Sequence, residues 1–523
     1  MKRVLIATWG NPFQWEPIWY RLDCESLGIE NCRSVELKNV STLPVLMKAL
    51  QPHRTIVLVL DTLTNLTLRN DVKPKEVGSY EGAVEDVQER VKWFIENRVK
   101  PHLDEEDRAL LDDVEVVILP GVGEFDNVSV EGDVLDFYSV VLKVLAERLP
   151  VENTEVILDL THGINFMPVL TYRALKALLG VLAYLYTARL YVVNSEPFPQ
   201  GQREWKEKIK ELSVLNMKLV EARELRPRPL YSTVSDRPEW SAFISSVTNG
   251  FPLAFATFYP SMKDVEAYVE KGYQDFLDAI EVCMKPDPAG ERKAHIFRRK
   301  ALSRDFRTAV KLYYMLRAFG TVFNGYPKNE VTLDELFEIS SKLFARMPRI
   351  GIMVENQLCD LKRLERGYYT YEDGQLRFIK GVIDKLSQRY IDKPLRPLKD
   401  GRKITLGELM RAMRVFSPSG GGKNPVPEIR NFIAHSGFEY NLVLVRYDGK
   451  TLSWSYDLKF NCRKVAEKYL EEHKKGASDG EIDCPKVCGG MDSTLSDCSC
   501  DDKTVLCFLI GAIQMKKSKG VVC

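Results

Sequence analysis

VILDLTHGINFMPVLTYRALKALLGVLAYLYTARLYVV, residues 156–193, decides the fold. VILDL (Val156–Leu160) is a short apolar run rich in β-branched residues, Asn165–Tyr186 carries apolar residues at helical spacing, and LYVV (Leu190–Val193) repeats the first kind of run. A strand buried on both faces reads as such a continuous run. Strand, helix and strand in this order predict a parallel pair with a crossover helix. Toward the N-terminus the alternation continues. Arg3–Thr8 (RVLIAT), Arg33–Leu37, Thr55–Leu60 (TIVLVL) and Val114–Leu119 (VEVVIL) are strand-like, with helical stretches at Glu81–Arg98 and Val134–Arg148. The prediction is α/β: a Rossmann-like, doubly wound parallel sheet.

Toward the C-terminus the pattern changes. Glu204–Glu224, Asp264–Cys283, Ala294–Phe319, Thr332–Arg346, Glu355–Arg366, Gly374–Arg389, Thr405–Val415 and Cys462–Lys475 all read as helices. A proline-rich connector (Arg226–Trp240) and a Gly/Pro loop (Ser417–Glu428) punctuate them. NLVLVRYDGKTLSWSYDL reads as a hairpin turning at Asp448-Gly449. The predicted organisation is α/β plus all-α: an α/β domain over 1–225 and a helical domain over 226–475. Within the second, a helix-turn-helix-like insertion is expected at about 331–366, and a flexible Cys-rich tail at 476–523.

The 523 residues are 45% hydrophobic and 28% charged, the balance of a foldable chain rather than a disordered one. Lys plus Arg number 74 against 73 Asp plus Glu, for a net +1, so a polyanion must be met by a local patch and not by a basic coat. No uncharged apolar run approaches the ~20 residues of a membrane span. MKRVLIATWGN enters a strand directly and does not read as a signal peptide. The expectation is a cytoplasmic protein without a membrane partner. Cys24, Cys32, Cys283, Cys359 and Cys462 are scattered as free thiols would be. The tail cysteines Cys484, Cys488, Cys498 and Cys500 could hold a zinc ion, but their spacing fits no usual zinc motif, and incidental cysteines on a mobile tail are the preferred reading.

Ligands of open α/β sheets bind beyond the carboxyl ends of the strands. The first strand runs into Trp9-Gly10-Asn11, the fourth into Gly121-Val122-Gly123, and the fifth into Thr161-His162-Gly163-Ile164-Asn165 just before a helix. Glycines permit close backbone approach, and the helix N-terminus favours phosphate. His162 and Asn165 could hydrogen-bond a phosphate, ribose or base. No GxGxxG follows the first strand and no GxxxxGK[ST] occurs anywhere, so neither a dinucleotide site nor a nucleoside-triphosphatase loop is supported. Each glycine, taken alone, also fits a plain tight turn.

A second site lies at RNFIAH (Arg430–His435). At ~100° per residue, Ile429, Phe432 and Ile433 form an apolar stripe and Arg430, Asn431 and His435 lie opposite it, over Ala434. A guanidinium carries permanent planar charge for phosphate oxygens, and an imidazole moves protons near neutrality. That set suits metal-free RNA cleavage with the ribose 2′-hydroxyl as nucleophile. On the same argument Lys300, Arg304, Arg307 and Lys311, at helical spacing, could line an RNA groove; the bland alternative is a solvated charged face.

Together these motifs resemble one family. ATWGNP, PGVG, DLTHGIN and RNFIAH, spread over most of residues 1–473, resemble the CARF–HEPN accessory ribonucleases of type III CRISPR systems, the Csx group. RNFIAH matches the HEPN signature of an Arg, a polar residue, three more residues and a His. The resemblance implies a CARF sensor that binds a cyclic oligoadenylate, most often cyclic tetra-adenylate, as allosteric activator. It also implies single-stranded RNA as substrate, with no cofactor or metal required for catalysis. One Arg and one His make half of an acid–base site, so a homodimer or higher even-numbered oligomer is expected. The competing readings are a nucleotide-sensing transcription regulator, with 331–366 as DNA reader, and a ring nuclease that degrades its own cyclic ligand.

Overall fold

The computed structural model describes residues 1–66, 77–198, 213–286, 292–372, 374–413, 427–461 and 504–518. They divide into two units: Met1–Arg228 with Lys263–Ala318, and Pro229–Met262 with Phe319–Cys523. The expected single boundary near residue 225 is thereby corrected. The chain leaves the first unit, returns to it for 263–318, and leaves again.

In the first unit the strands are β1 (Lys2–Trp9), β2 (Ile18–Leu22), β3 (Val35–Asn39), β4 (Arg54–Leu60), β5 (Val114–Leu119), β6 (Gly123–Glu124), β7 (Val128–Glu131), β8 (Thr154–Asp159), β9 (Ala188–Ser195), β10 (Val214–Glu224), β11 (Ile280–Pro286) and β12 (Arg292–Arg298). The main sheet has the order β3-β2-β10-β9-β8-β1-β4-β5. Its heart is the five parallel strands β5, β4, β1, β8 and β9, in the order 3-2-1-4-5 of a doubly wound fold. Leu5, Ile6 and Ala7 are fully buried, as their unbroken apolar run requires. Leu5, Ala7 and Trp9 share one core with the helices Leu43–Leu50 and Tyr80–Phe94. The crossover helices Val134–Arg148 and Met167–Leu182 pack on each other.

Three expectations change. Glu204–Glu224 does not end in helix: its described part is β10, antiparallel to β9, with Leu215 and Met217 buried and alternate residues more open. Val35–Asn39 lies outside the parallel set and pairs with β2, a strand the sequence reading missed. The ends of two expected helices, at Cys283 and Ala294, are the antiparallel pair β11–β12, which continues through β7 to β6. The first and third segments were read as helix because each is a short period-two stretch beside strong helical signals, and the helical period was extended too far; the second was read as a strand, but its partner β2 was not seen.

The second unit is mainly helical but not all-α. Its strands are β13 (Val331–Thr332), β14 (Gly367–Glu372), β15 (Gln375–Lys380), β16 (Ile404–Thr405), β17 (Val443–Tyr447) and β18 (Leu452–Tyr456). β17 and β18 form the expected hairpin, with Gly449 at φ +100° in its turn. The stretch 374–389, expected as helix, is instead β15 and the short helix Val382–Leu386. Two helices, Leu333–Leu343 and Pro348–Arg366, occupy the helix-turn-helix-like region. The end of the expected flexible tail holds a helix, Thr504–Ser518, with Val505 to Ile510 buried. The helix expected at Cys462–Lys475, most of the loop expected at Ser417–Glu428, and Cys484, Cys488, Cys498 and Cys500 lie outside the described residues. Cys24 and Cys32 are disulfide-bonded rather than free, because left-handed Gly28 and Asn31 turn the chain back and bring their Cα atoms to 5.6 Å.

Candidate functional site

β1 has β4 on one side and β8 on the other, so the strand order reverses between β1 and β8. There the Gly10 N–H donates to the His162 carbonyl at 2.8 Å. A Cβ on Gly10 would lie 2.5 Å from Ile164 Cγ2, and one on Gly163 2.4 Å from Thr8 Oγ1. These two glycines let the two loops close on each other. Asp159, buried at the end of β8, accepts the Thr161 N–H (2.9 Å) and hydroxyl (2.6 Å) and the Thr42 hydroxyl (2.6 Å). Its burial raises the carboxyl pKa. The Thr42 N–H in turn donates to His162 Nε2 at 3.3 Å, and the imidazole stacks on Trp15 at 3.9 Å. Desolvation pulls His162 down to about 3, so it is neutral at physiological pH.

The other sensor candidates separate by role. Trp9 is a core residue, fully buried edge-on against Trp15 and Phe94, which removes it as a direct ligand contact. Asn11 accepts from the Phe13 N–H. Asn165 is exposed, in the left-handed region at φ +50°, two residues before the helix Met167–Leu182, whose start carries no side-chain cap. Gly121 and Gly123 follow β5, two strand spacings from β1, or ~10 Å. Gly121 donates to Asp61 Oδ1 (2.8 Å), and its carbonyl accepts from Arg298 (2.5 Å), which is also paired with Asp61. Tyr80 completes this buried cluster through its hydroxyl on Asp61 at 3.0 Å. Thr42, Trp15, Asp61 and Arg298 escaped the sequence reading; they reach their partners across long stretches of chain, and no local spacing marks them.

In the second unit Ile429–Ala434 is a helix. Phe432 is fully buried against Phe251, Tyr456 and Phe508, while Arg430 and Ala434 are exposed. Arg430 has no hydrogen-bond or ion-pair partner among the described residues. Asn431 donates to Glu428 at 3.3 Å. His435 is half-buried, its ring 5.3 Å from that of Tyr440. Its Nδ1 lies 3.0 Å from Gln357 Oε1. An amide oxygen can only accept, so Nδ1 carries the proton and Nε2 presents its lone pair. Desolvation lowers the His435 pKa, opposed by Asp360. Gln357 sits on the helix Pro348–Arg366, 78 positions from its partner, and was invisible in the sequence. Four residues further along the chain, burial raises the Glu439 carboxyl to about 7.

The basic stripe belongs to the first unit and is not an open groove. Lys300 pairs with Asp275 at 3.1 Å. Arg307 donates to Ser139 Oγ (3.2 Å) and to the Leu302 carbonyl (2.9 Å). Burial, then Arg173, Arg307, Arg228 and Arg304, push Lys311 down to about 8. Arg304 and Lys300 alone of the four are exposed. A continuous RNA-lining face is therefore corrected to two solvated and two packed cations. Among the described residues no group of three His, Cys, Asp or Glu is placed to hold a metal, and no helix is long and apolar enough to cross a membrane.

Comparison with known proteins finds two matching family models. Residues 4–197 match the CARF domain of the CRISPR system endoribonuclease Csx1, and residues 378–458 match the HEPN domain of the same family. The chain is 27% identical to the CRISPR system endoribonuclease Csx1 of Methanocaldococcus jannaschii over 519 aligned residues, covering 90% of this chain and 93% of that protein. The first match spans the β1 and β8 loops, and the second spans Arg430–His435.

Proposed function

Because the chain belongs to the CARF–HEPN family of CRISPR-associated Csx endoribonucleases, we propose that it is a metal-independent endoribonuclease of antiviral defence. It cleaves single-stranded RNA in the cytoplasm and is activated by a cyclic oligoadenylate, cyclic tetra-adenylate first among them. The sensor comprises 1–228 with 263–318, and the nuclease 229–262 with the chain from 319 onward. The carrying observation is the state of His435, with Nδ1 held by Gln357 and Nε2 without a hydrogen-bond partner among the described residues, on the same helix face as Arg430, which is unpartnered among them too.

Neutral His435 Nε2 takes the proton from a ribose 2′-hydroxyl. The 2′-oxygen attacks the adjacent phosphorus, Arg430 stabilises the charge gathering on the phosphate oxygens, and the 5′-oxygen leaves with a proton. The acid for that proton comes from a second copy in a homodimer, whose two-fold axis also suits a cyclic ligand. The products carry 2′,3′-cyclic phosphate and 5′-hydroxyl ends. The DNA-reader alternative is disfavoured because the helix Pro348–Arg366 supplies Gln357 to His435. The test is labelled RNA incubated with EDTA, with and without cyclic tetra-adenylate. Ligand-dependent, EDTA-indifferent cleavage is expected, and none at a 2′-deoxy position. Normal cleavage of the deoxy substrate overturns the mechanism.

A further inference from the structure

The second unit carries an apolar surface that neither the core nor the nuclease helix uses. Gly367, at φ +97°, sits where a Cβ would lie 2.4 Å from the Ile379 carbonyl, so only glycine can launch β14 so close against β15. In this hairpin Tyr369 pairs with Phe378 and Tyr371 with Leu376. Alternation puts all four on one face. They are 68%, 48%, 73% and 64% exposed respectively, and the Tyr369 and Phe378 rings lie 5.0 Å apart. Large aromatic side chains grouped in solvent mark a contact surface.

The surrounding charge identifies the contact. From Arg377 to Lys403 the chain holds nine Lys or Arg against three Asp, in a protein whose net charge is +1. Lys380, Arg389 and Lys393 are exposed and have no ion-pair partner among the described residues. Aromatic rings on one hairpin face, with Lys380 on the same face of its strand and further unneutralised cations next in the chain, fit unpaired bases and their phosphates. A base paired inside a duplex has no free face to stack, which selects single strands. A second copy of this chain fits less well. Four side chains of this kind offer on the order of 500 Å², short of the ~800 Å² per partner in a stable interface. An isologous contact would also set the positive run against itself.

We propose that the β14–β15 hairpin and the basic run beginning in it are a docking track for single-stranded RNA, holding the substrate of the nuclease site. This rests on the ribonuclease reading above. The geometry suits delivery: hairpin and Gln357 share the helix Pro348–Arg366, and nine residues of helix separate Gln357 from its end, ~14 Å.

The experiment uses the full chain with His435→Ala, so that binding is read without cleavage. A fluorescently labelled single-stranded RNA is titrated at several salt concentrations and followed by anisotropy. Tyr369→Ala/Tyr371→Ala/Phe378→Ala should weaken binding at least tenfold. Lys380→Glu/Lys393→Glu should flatten the slope of log affinity against log salt by about 1.4. In the otherwise natural protein both should raise KM and leave kcat within about twofold. The altered side chains are exposed, so melting should be unchanged; if the triple variant melts early, the charge variant and Tyr371→Ser decide. Unchanged RNA affinity in all of them overturns the proposal. So does a change of sedimentation with RNA affinity intact, which would make the face a contact between copies. Wild-type protein that binds RNA through the hairpin but never cuts it would instead strike the ribonuclease reading alone.

Discussion

His162 and His435 carry the same imidazole in opposite circumstances. At the sheet switch point, His162 accepts a backbone amide through Nε2, stacks on Trp15 and is held neutral down to about pH 3. On the nuclease helix, His435 is half-buried, tethered through Nδ1 and open at Nε2. Burial lowers both pKa values, but His162 binds the Thr42 amide through Nε2, whereas His435 is held through Nδ1 and its Nε2 has no partner among the described residues. The contrast predicts that His162 acts by shape, because the fold satisfies it, and that His435 acts by proton transfer, because the fold orients one ring nitrogen only. The loops after β1 and β8 are braced against each other, whereas on the Ile429–Ala434 helix Arg430 has no hydrogen-bond or ion-pair partner among the described residues.

The hardest blow to this contrast would come from His435→Ala. Loss of a general acid or base costs ~10²–10⁴ in rate, so cleavage should nearly vanish while binding of cyclic tetra-adenylate, read by calorimetry, stays as it was. Arg430→Lys should also be poor, because an ammonium lacks the planar fork. Full cleavage by His435→Ala would erase the distinction.

His162→Ala should do the reverse. It strands the buried Thr42 amide, at ~1–3 kcal/mol, so the protein should melt several degrees lower. It should also need more activator for half-maximal cleavage, yet retain its rate once saturated. An unchanged melting curve would show that the bond to Thr42 braces nothing.

Gln357 sharpens the nuclease half. Gln357→Leu frees the ring to rotate and should lower kcat roughly tenfold, within the range seen for partners that orient a histidine. Gln357→Glu keeps the acceptor and adds negative charge, which favours imidazolium. In the natural protein the base form survives below pH 6.5, because desolvation lowers the His435 pKa. The acid limb of kcat/KM should therefore lie below 6.5 and move upward in Gln357→Glu. A limb that stays put would mean that another group titrates there.

The smallest effect belongs to Glu439. Its folded pKa, about 7, exceeds that of an unfolded glutamate, so the native state holds more protons between about 4.5 and 7. Stability from this group is thus present at low pH and lost as pH rises through that window. Glu439→Gln should remove that downward slope, measured by denaturant unfolding at pH 5 and pH 7, and leave the acid limb of catalysis in place.

Much of this was legible beforehand where the signal was local. RVLIAT, TIVLVL and VILDL announced strands with two buried faces, and Arg430, Asn431 and His435 sorted to one side of their helix as the 3.6-residue period demands. The hairpin at Asp448-Gly449 was equally plain. β10 and β12 were misread because each is a brief period-two stretch next to strong helical signals.

The sequence by itself determined the doubly wound sheet and the polar face of the nuclease helix. Both follow from hydrophobic periodicity, which is written into neighbouring residues. Tertiary structure alone decided which partners each of these two histidines has. Thr42 reaches His162 across 120 positions, Gln357 reaches His435 across 78, and Arg298 reaches Asp61 across 237. A single polar contact has no period to repeat, and its worth depends on the water removed around it. Only the folded chain brings such partners together and dries the space between them.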